Sequence, residues 1–365
     1  MIIGIEAERA NLADKTGVEH YAKQLILHFA EFDRQNQYVL YLRTPPQQWL
    51  LELPANFHLK VLPFPLFWTQ LRLSWELWRH PVDALLIPAS ALPLVHPVNS
   101  VVVVHDTAWK YFSESFTWFM RNFLEWSTRF AVKRAARVIA VSASTKQDLL
   151  KFYGADPEKI AVVHHGYQLS GAAFGGAKEP REPLLPQRYI LFLSTLQPRK
   201  NLIGLISAFR QLKRERPELP HRLVVVGKPG WKYEEILRTI EQNRDIVVYL
   251  NHVSEPRKAQ ILAKAEALVL PSFYEGFGMQ VLEAFAAGVP VAVSNVSSLP
   301  EVAGDGAVYF DPRDAAQIKQ AIQNILLDKG LADRLRENGR RRLAEFSWEK
   351  CAKQTLAVLS GIQQD

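Results

Sequence analysis

Ala267-Leu-Val-Leu-Pro-Ser-Phe-Tyr-Glu275-Gly-Phe-Gly-Met-Gln-Val-Leu-Glu283, continuing into Ala284-Phe-Ala-Ala-Gly-Val-Pro290, is the stretch on which the fold turns. Its opening run is apolar, of strand length and without a polar face, so it reads as a buried parallel strand. The glycine-rich turn that follows opens a helix beginning near Phe277. A helix start carries unpaired N–H groups and a partial positive charge, and therefore suits an anion such as phosphate. Gly276 and Gly278 have no Cβ and let backbone approach a ligand closely. Glu275 stands just before the helix and Glu283 about two turns into it, which puts the two carboxylates on the order of 10 Å apart. An ionised carboxylate only accepts hydrogen bonds, so each one matches a pair of adjacent sugar hydroxyls. Hydroxyl-binder, phosphate-binder, hydroxyl-binder is the layout of a nucleotide-sugar: hexose, diphosphate, ribose.

Working outward, strand-like runs alternate with helical stretches along all 365 residues, which implies an α/β fold with parallel sheets and, at this length, two domains. The first half shows strands near 1–5, 38–42, 58–62, 84–87, 100–104, 137–141 and 160–163. The second shows them near 189–194, 222–227, 246–249, 267–270 and 290–293. Residues 169–187, rich in Gly, Pro and charge without periodicity, read as a linker between an N-terminal domain over 1–168 and a C-terminal domain over 188–346. The chain opens Met1-Ile-Ile-Gly-Ile5, directly in a strand, so no signal peptide is expected. No apolar run reaches the ~18–20 residues of a membrane span. Cys351 is the only cysteine, which excludes an intrachain disulfide and a thiolate metal cluster and points to a reducing cytoplasm.

Ser194-Thr-Leu-Gln-Pro-Arg199-Lys200-Asn201 follows the first strand of the second half. Two adjacent cations at a strand's carboxyl end, beside a helix start, are placed where open α/β sheets bind anions. Arg199 can donate two parallel hydrogen bonds to a phosphate, and Lys200 adds a compact charge. Gly227-Lys228-Pro-Gly-Trp231 follows the next strand without forming a G-x-G-x-x-G fingerprint, which weakens a dinucleotide-dehydrogenase reading. In the first half, Val101-Val-Val-Val-His105-Asp106 sets two polar residues at the end of a buried strand. His105 could bond a sugar or an acceptor and Asp106 could orient it, or the histidine could be a satisfied rim residue. Thr16-Gly17-Val18 precedes a helix over 18–32, and Gly17 would admit close approach by phosphate or acceptor.

The glutamate pair, with its flanks Pro271-Ser-Phe-Tyr-Glu-Gly-Phe-Gly278, Gly288-Val-Pro-Val-Ala-Val-Ser-Asn295 and Ser297-Ser-Leu-Pro-Glu-Val-Ala-Gly304, resembles the E-x7-E block of the retaining GT-B glycosyltransferases of family 4. That resemblance implies two Rossmann-like domains facing across a cleft, with a last helix over 347–361 crossing back onto the first. It also implies a nucleotide-sugar donor held mainly by the second domain and a glycan or lipid-linked acceptor held mainly by the first. Glu275, Gly276, Phe277 and Gly278 would meet the sugar and diphosphate, and Glu283 the ribose. Arg199 and Lys200 would take the diphosphate, and Gly227 and Lys228 would lie near the base. Many members have two adjacent glycines where Thr16-Gly17 stands here. His164, His165 and Gly166 resemble the hinge turn closing the first domain. Retention of configuration by front-face attack is implied, with His105, Arg199, Lys200 and Glu275 carrying the chemistry and no metal or other cofactor.

Thr195 to Asn201, Gly227 to Trp231 and Val104-His-Asp106 look most like bacterial mannosyltransferase-type members building surface polysaccharide, so GDP-mannose leads and UDP-hexoses follow. A nucleotide-sugar epimerase of the same fold and a catalytically inactive binding homologue are the alternatives.

Charge supplies a further clue. Lys and Arg total 44 against 37 Asp and Glu. Phe116, Phe119, Phe123, Trp126 and Phe130 recur at helical spacing beside Arg121, Arg129, Lys133, Arg134 and Arg137, and a shorter set runs through Trp68, Leu71, Trp75 and Trp78. A core-facing stripe with a solvated basic face explains this. Attachment to an anionic bilayer, on the inner face of the plasma membrane, is the alternative. Nucleic acid is not an expected partner, since neither a recognition motif nor a basic tail is present.

Overall fold

The computed structural model describes residues 1–12, 17–168 and 185–361; Thr16 and most of the expected linker lie outside them. The chain divides into two compact units. The first comprises Met1–Tyr111, Thr117–Gly166 and the segment from Phe346 onward; the second comprises Phe112–Phe116 and Tyr167–Glu345. The short excursion Phe112–Phe116 into the second unit has no signal in the sequence. Within that unit Phe112 stacks on Phe273, centroids 6.4 Å apart, and Trp231 Nε1 donates to the Glu114 carbonyl.

The first unit is built on β1 (Ile2–Glu6), β2 (Gln37–Leu42), β3 (Phe57–Val61), β4 (Ala84–Ile87), β5 (Ser100–Val104), β6 (Arg137–Ala140) and β7 (Ile160–Val162). They form one parallel sheet in the order β3-β2-β1-β4-β5-β6-β7. The second unit is built on β8 (Tyr189–Leu193), β9 (Arg222–Val226), β10 (Val247–Leu250), β11 (Ala267–Leu270), β12 (Val291–Ser294) and β13 (Ala307–Phe310). Its sheet is also parallel, ordered β10-β9-β8-β11-β12-β13. Central strands such as β5 and β8 are buried along their whole length, because helices cover both faces and leave no polar side to alternate.

The sequence reading does not find β13, a four-residue edge strand with mostly half-buried side chains. Both sheets reverse their strand order beside their first strand, at β1/β4 and at β8/β11. In an open α/β sheet that reversal creates the crevice in which ligands bind, at the strands' carboxyl ends. The segment from Phe346 returns to the first unit: Trp348 packs its ring on Tyr21 and His165, and the helix Trp348–Gly361 lies against the helix Gly17–Phe32.

Candidate functional site

Three loops of the second unit meet at its strand reversal. The loop after β8 pairs with the loop after β9: Leu196 N donates to Lys228 O (2.9 Å) and Gly230 N to Leu196 O (3.0 Å). On its other side it joins the loop after β11, where Phe273 N donates to Arg199 O at 2.8 Å. Gly227 is required at this junction, because a Cβ there would stand 1.8 Å from the Ser194 carbonyl oxygen. Arg199, Lys200, Gly227, Glu275, Gly276, Phe277 and Gly278, singled out from the sequence, thus belong to one constellation. Lys228 joins it through its backbone, and its side chain is exposed.

At the centre lies a buried ion pair. Lys200 Nζ donates to both Glu275 carboxylate oxygens, at 2.5 and 2.6 Å. Ser272 Oγ donates to Oε1 at 2.7 Å, and the Arg199 guanidinium stands 3.6 Å from Oε2. Burial alone would raise the Glu275 carboxyl, but Lys200 and Arg199 outweigh it and hold the group below the usual glutamate value. Arg199 is aimed by donating to the Tyr274 carbonyl (3.0 Å) and to Gln197 Oε1 (3.1 Å). Ser297 Oγ accepts from Glu275 N, and Ser298 Oγ donates to the carbonyls of Glu275 and Phe277. Ser297 and Ser298 thereby fix the backbone of the turn at Glu275 and Phe277.

The helix after this turn runs Met279–Ala286, two residues later than expected from the sequence. Gly278 adopts φ +100°, a left-handed conformation that delays the helix. Glu283 therefore lies just over one turn into the helix rather than two. No side chain caps the start, where Val281 N donates to Gly278 O at 3.0 Å, and a helix start of this kind suits an anion. Glu283 accepts from Lys258 Nζ at 2.8 Å, and Lys258 also pairs with Glu255 at 2.7 Å. Burial pushes the Lys258 ammonium down, but the two carboxylates prevail and its value is raised. Lys258 escapes a sequence reading because it is brought to Glu283 only by packing of the helix Glu255–Ala263. Among the described residues no group of three or more His, Cys, Asp or Glu is placed to hold a metal ion.

The carboxyl edge of the first sheet is furnished differently. Both His105 ring nitrogens are engaged: Nε2 with the Pro88 carbonyl at 2.7 Å and Nδ1 with His165 Nε2 at 3.3 Å. One tautomer satisfies both, with His105 donating to Pro88 and accepting from His165. Burial holds both imidazoles below the ordinary histidine value. The His105 ring thus sits in an internal histidine pair, with Tyr21 packed edge-on at 4.9 Å, the geometry of a satisfied rim residue. Asp106 Oδ1 accepts from Ala108 N at 3.1 Å, leaving Oδ2 toward the edge. Gly17 begins a helix whose Glu19 pairs with Arg9 at 3.4 Å, and a Cβ at 17 would meet open space. Protein packing therefore does not account for glycine there. Glu6, at the end of β1, is buried and raised to about 7, mainly by desolvation. Nothing in the sequence reading singles out Glu6.

The aromatic stripe also differs. Phe116 lies outside the helix, which runs Trp118–Arg134 from an N-cap at Thr117. Its fully buried positions are Ser127, Thr128, Ala131 and Val132, and Phe130 packs against the same core, whereas Phe119 and Trp126 are exposed. In the shorter set Trp68 is buried and donates to the Leu62 carbonyl, whereas Leu71, Trp75 and Trp78 are exposed.

Comparison with known proteins agrees with this architecture. Residues 15–171 match the family described as Glycosyltransferase Family 4, and residues 177–342 match Glycosyl transferases group 1. The chain belongs to family 4 of the GT-B glycosyltransferases. It is 31% identical over 245 residues to the O-antigen chain mannosyltransferase B of Escherichia coli, covering 64% of this chain and 63% of that protein. It is 31% identical over 282 residues to the MMP alpha-(1->4)-mannosyltransferase of Mycolicibacterium hassiacum, covering 75% of this chain and 66% of that protein. The match thus spans slightly less than two thirds of each relative. Among solved structures, the sucrose-phosphate synthase of Thermosynechococcus elongatus aligns over 100% of this chain and 99% of its own at TM-score 0.77 and 19% identity. Anabaena HepE in complex with UDP-glucose aligns over 99% of each chain at TM-score 0.71 and 15% identity. Likeness at that identity establishes the GT-B fold, two Rossmann-like α/β domains.

Proposed function

We propose that this chain is a retaining hexosyltransferase. It moves a sugar, mannose first among the candidates, from a nucleotide-diphosphate donor to a hydroxyl of a glycan or lipid-linked acceptor. The carrying observation is the Arg199–Lys200–Glu275 cluster beside an uncapped helix start, at the strand reversal of the second sheet. Two relatives named as mannosyltransferases, one of them for the O-antigen chain, support the sugar and a role in surface polysaccharide or glycolipid assembly. The acceptor would be met in the cytoplasm, at the inner face of the plasma membrane.

In this reading Arg199, Lys200 and the N–H groups after Gly278 stabilise charge developing on the leaving diphosphate. Two protein cations supply there what a divalent ion supplies in other transferases, so transfer survives excess EDTA. Glu275 accepts from the sugar hydroxyls with whatever lone pairs Lys200 and Ser272 leave to it, and Glu283 accepts from the ribose. Gly227 and Lys228 flank the base. Departure and attack occur on one face, with the leaving phosphate taking the acceptor's proton. On the first unit Asp106 and the backbone at Gly17 are the acceptor-side candidates. His105 contributes by holding its edge rather than through a free ring nitrogen.

A thermal-shift panel of GDP-mannose, UDP-glucose and their free diphosphates tests the donor through linkage with stability. Calorimetry of Glu275→Gln and Glu283→Gln then tests the placement. Free diphosphate has ribose but no hexose, so it should lose affinity in Glu283→Gln and keep it in Glu275→Gln, while Glu275→Gln chiefly lowers kcat. Equal weakening of the diphosphate by both substitutions would overturn the arrangement.

A further inference from the structure

The first unit keeps a large aromatic surface in water. On the helix Trp118–Arg134, Trp118 is 73% exposed and Phe119 63%, with Met120 and Trp126 also exposed. The segment 64–79 adds Leu66 and Trp78, each 69% exposed, with Phe67, Leu71 and Trp75 beside them. Scattered apolar residues are ordinary on a protein surface, but this concentration is not. The two segments are joined by a third. Val95 N donates to Ser74 Oγ at 3.2 Å, the His96 ring lies 6.3 Å from Phe130, and Phe130 stacks on Trp126 at 5.6 Å. On that connecting loop Leu94, Val95 and Val98 are themselves exposed.

The backbone is shaped to present this surface. Phe67 has φ +51°, a left-handed conformation disfavoured for an aromatic residue. Strain that holds a hydrophobe out into water does nothing for the isolated fold and points to a ligand. The next five residues, Thr69–Leu73, form a π-helical turn instead of an α-helix. Beside them a cavity of about 570 Å³ is lined by Pro63, Phe64, Leu71, Arg72 and Trp75. It is apolar inside, with one guanidinium at its wall.

Charge identifies the occupant. Across 64–80 and 118–134 six Arg and Lys side chains face two Glu. Both acids are spent internally: Glu76 is buried among Lys60, Arg72 and His80, and Glu125 pairs with Lys110 and Arg129. Arg72 and Arg79 flank the Trp75 ring at 4.7 and 5.2 Å. A second copy of this surface would bring like charges together. A bilayer of anionic lipid offers phosphates to the cations and an interface to the indoles.

We propose that this surface docks the first unit on an anionic membrane, with Trp75, Trp78, Trp118 and Phe119 at headgroup depth. The cavity beside Trp75 would take an apolar chain, with the exposed Arg79 on a lipid phosphate. The proposal rests on the lipid-linked-acceptor reading only for its purpose, and its test is independent of that reading. The full chain is sedimented with phosphatidylcholine vesicles with and without phosphatidylglycerol, at low and high salt, and indole fluorescence is quenched with brominated lipid. Binding is expected to the phosphatidylglycerol vesicles alone, to weaken with salt, and to quench the indoles. Trp118→Ser/Phe119→Ser and Trp75→Ser/Trp78→Ser should each weaken it at least ~10-fold. These positions are exposed, so melting temperature and its shift by nucleoside diphosphate should be unchanged, which separates loss of docking from failure of the donor site. Unchanged vesicle binding in both double variants would overturn the proposal. So would equal affinity for phosphatidylcholine alone, or a wild-type dimer that the substitutions dissociate.

Discussion

The two sheets share one strand order, and their carboxyl edges have opposite electrostatics. The second unit holds an ionised knot: Lys200, Arg199 and Glu275, with the carboxylate kept charged by its neighbours. The first holds groups kept neutral by burial: the His105–His165 pair and the Glu6 carboxyl, raised to about 7. Cations beside a helix start suit a diphosphate, and uncharged donors and acceptors suit hydroxyls. One scaffold used twice therefore carries two chemically different edges, set apart by side chains alone.

The comparison breaks most easily at Lys200. Lys200→Ala leaves Glu275 buried without its main partner and should cost about 3–5 kcal/mol of stability. Adding Glu275→Gln should recover much of that, and a chemical-denaturation series on the three proteins measures it. A mild effect of Lys200→Ala alone would mean the pair is not the charged centre described. Arg199→Ala is the cleaner functional probe, since this side chain approaches the carboxylate only at 3.6 Å. Turnover should fall on the order of 100-fold with melting temperature retained. Near-normal turnover would remove Arg199 from the donor phosphates.

On the first unit the signs can be worked out from the shifts. Glu6 has a raised folded value, so its contribution is complete below its unfolded value of 4.5 and is lost as pH rises through about 7. His105 and His165 are lowered, so they act oppositely: the unfolded chain takes up protons first, and stability falls as pH drops below about 6.5. Glu6→Gln should therefore match wild type near pH 4.5. It should exceed it at pH 8 by on the order of 2 kcal/mol, with a steeper acid loss below neutrality. A difference independent of pH would show that Glu6 is not the buried acid of this edge. The smallest effect is expected at Lys258, which orients Glu283 from 2.8 Å. Lys258→Met should raise the donor KM about 3–10-fold at constant kcat, with Lys258→Arg restoring it. A lowered KM would mean that Lys258 competes with the ribose for Glu283.

The legible parts of the molecule follow from local chemistry. A buried parallel strand has no polar face, so its apolar run stands out, whereas β13, mostly half-buried at the sheet edge, goes unread. The Glu275–Glu283 block and the Arg199-Lys200 pair are each contiguous, so their residue types at short spacing already mark them as one candidate site. Periodicity in the helix Trp118–Arg134 shows that its aromatics share a face. It does not show which way that face turns, and the small residues Ser127, Thr128 and Ala131 take the inside.

By itself, then, the sequence determined the alternation of strands and helices, the family and the loops of the candidate site, because each rests on neighbours along the chain. Only the tertiary structure decided the state of those groups. Lys200 lies 75 residues before Glu275, and the two become a buried pair only when the loops after β8 and β11 meet. His105 meets His165 across 60 residues and Lys258 meets Glu283 across 25. Burial and charge fall off over a few ångströms in space, so contacts between segments distant in the chain set protonation and exposure.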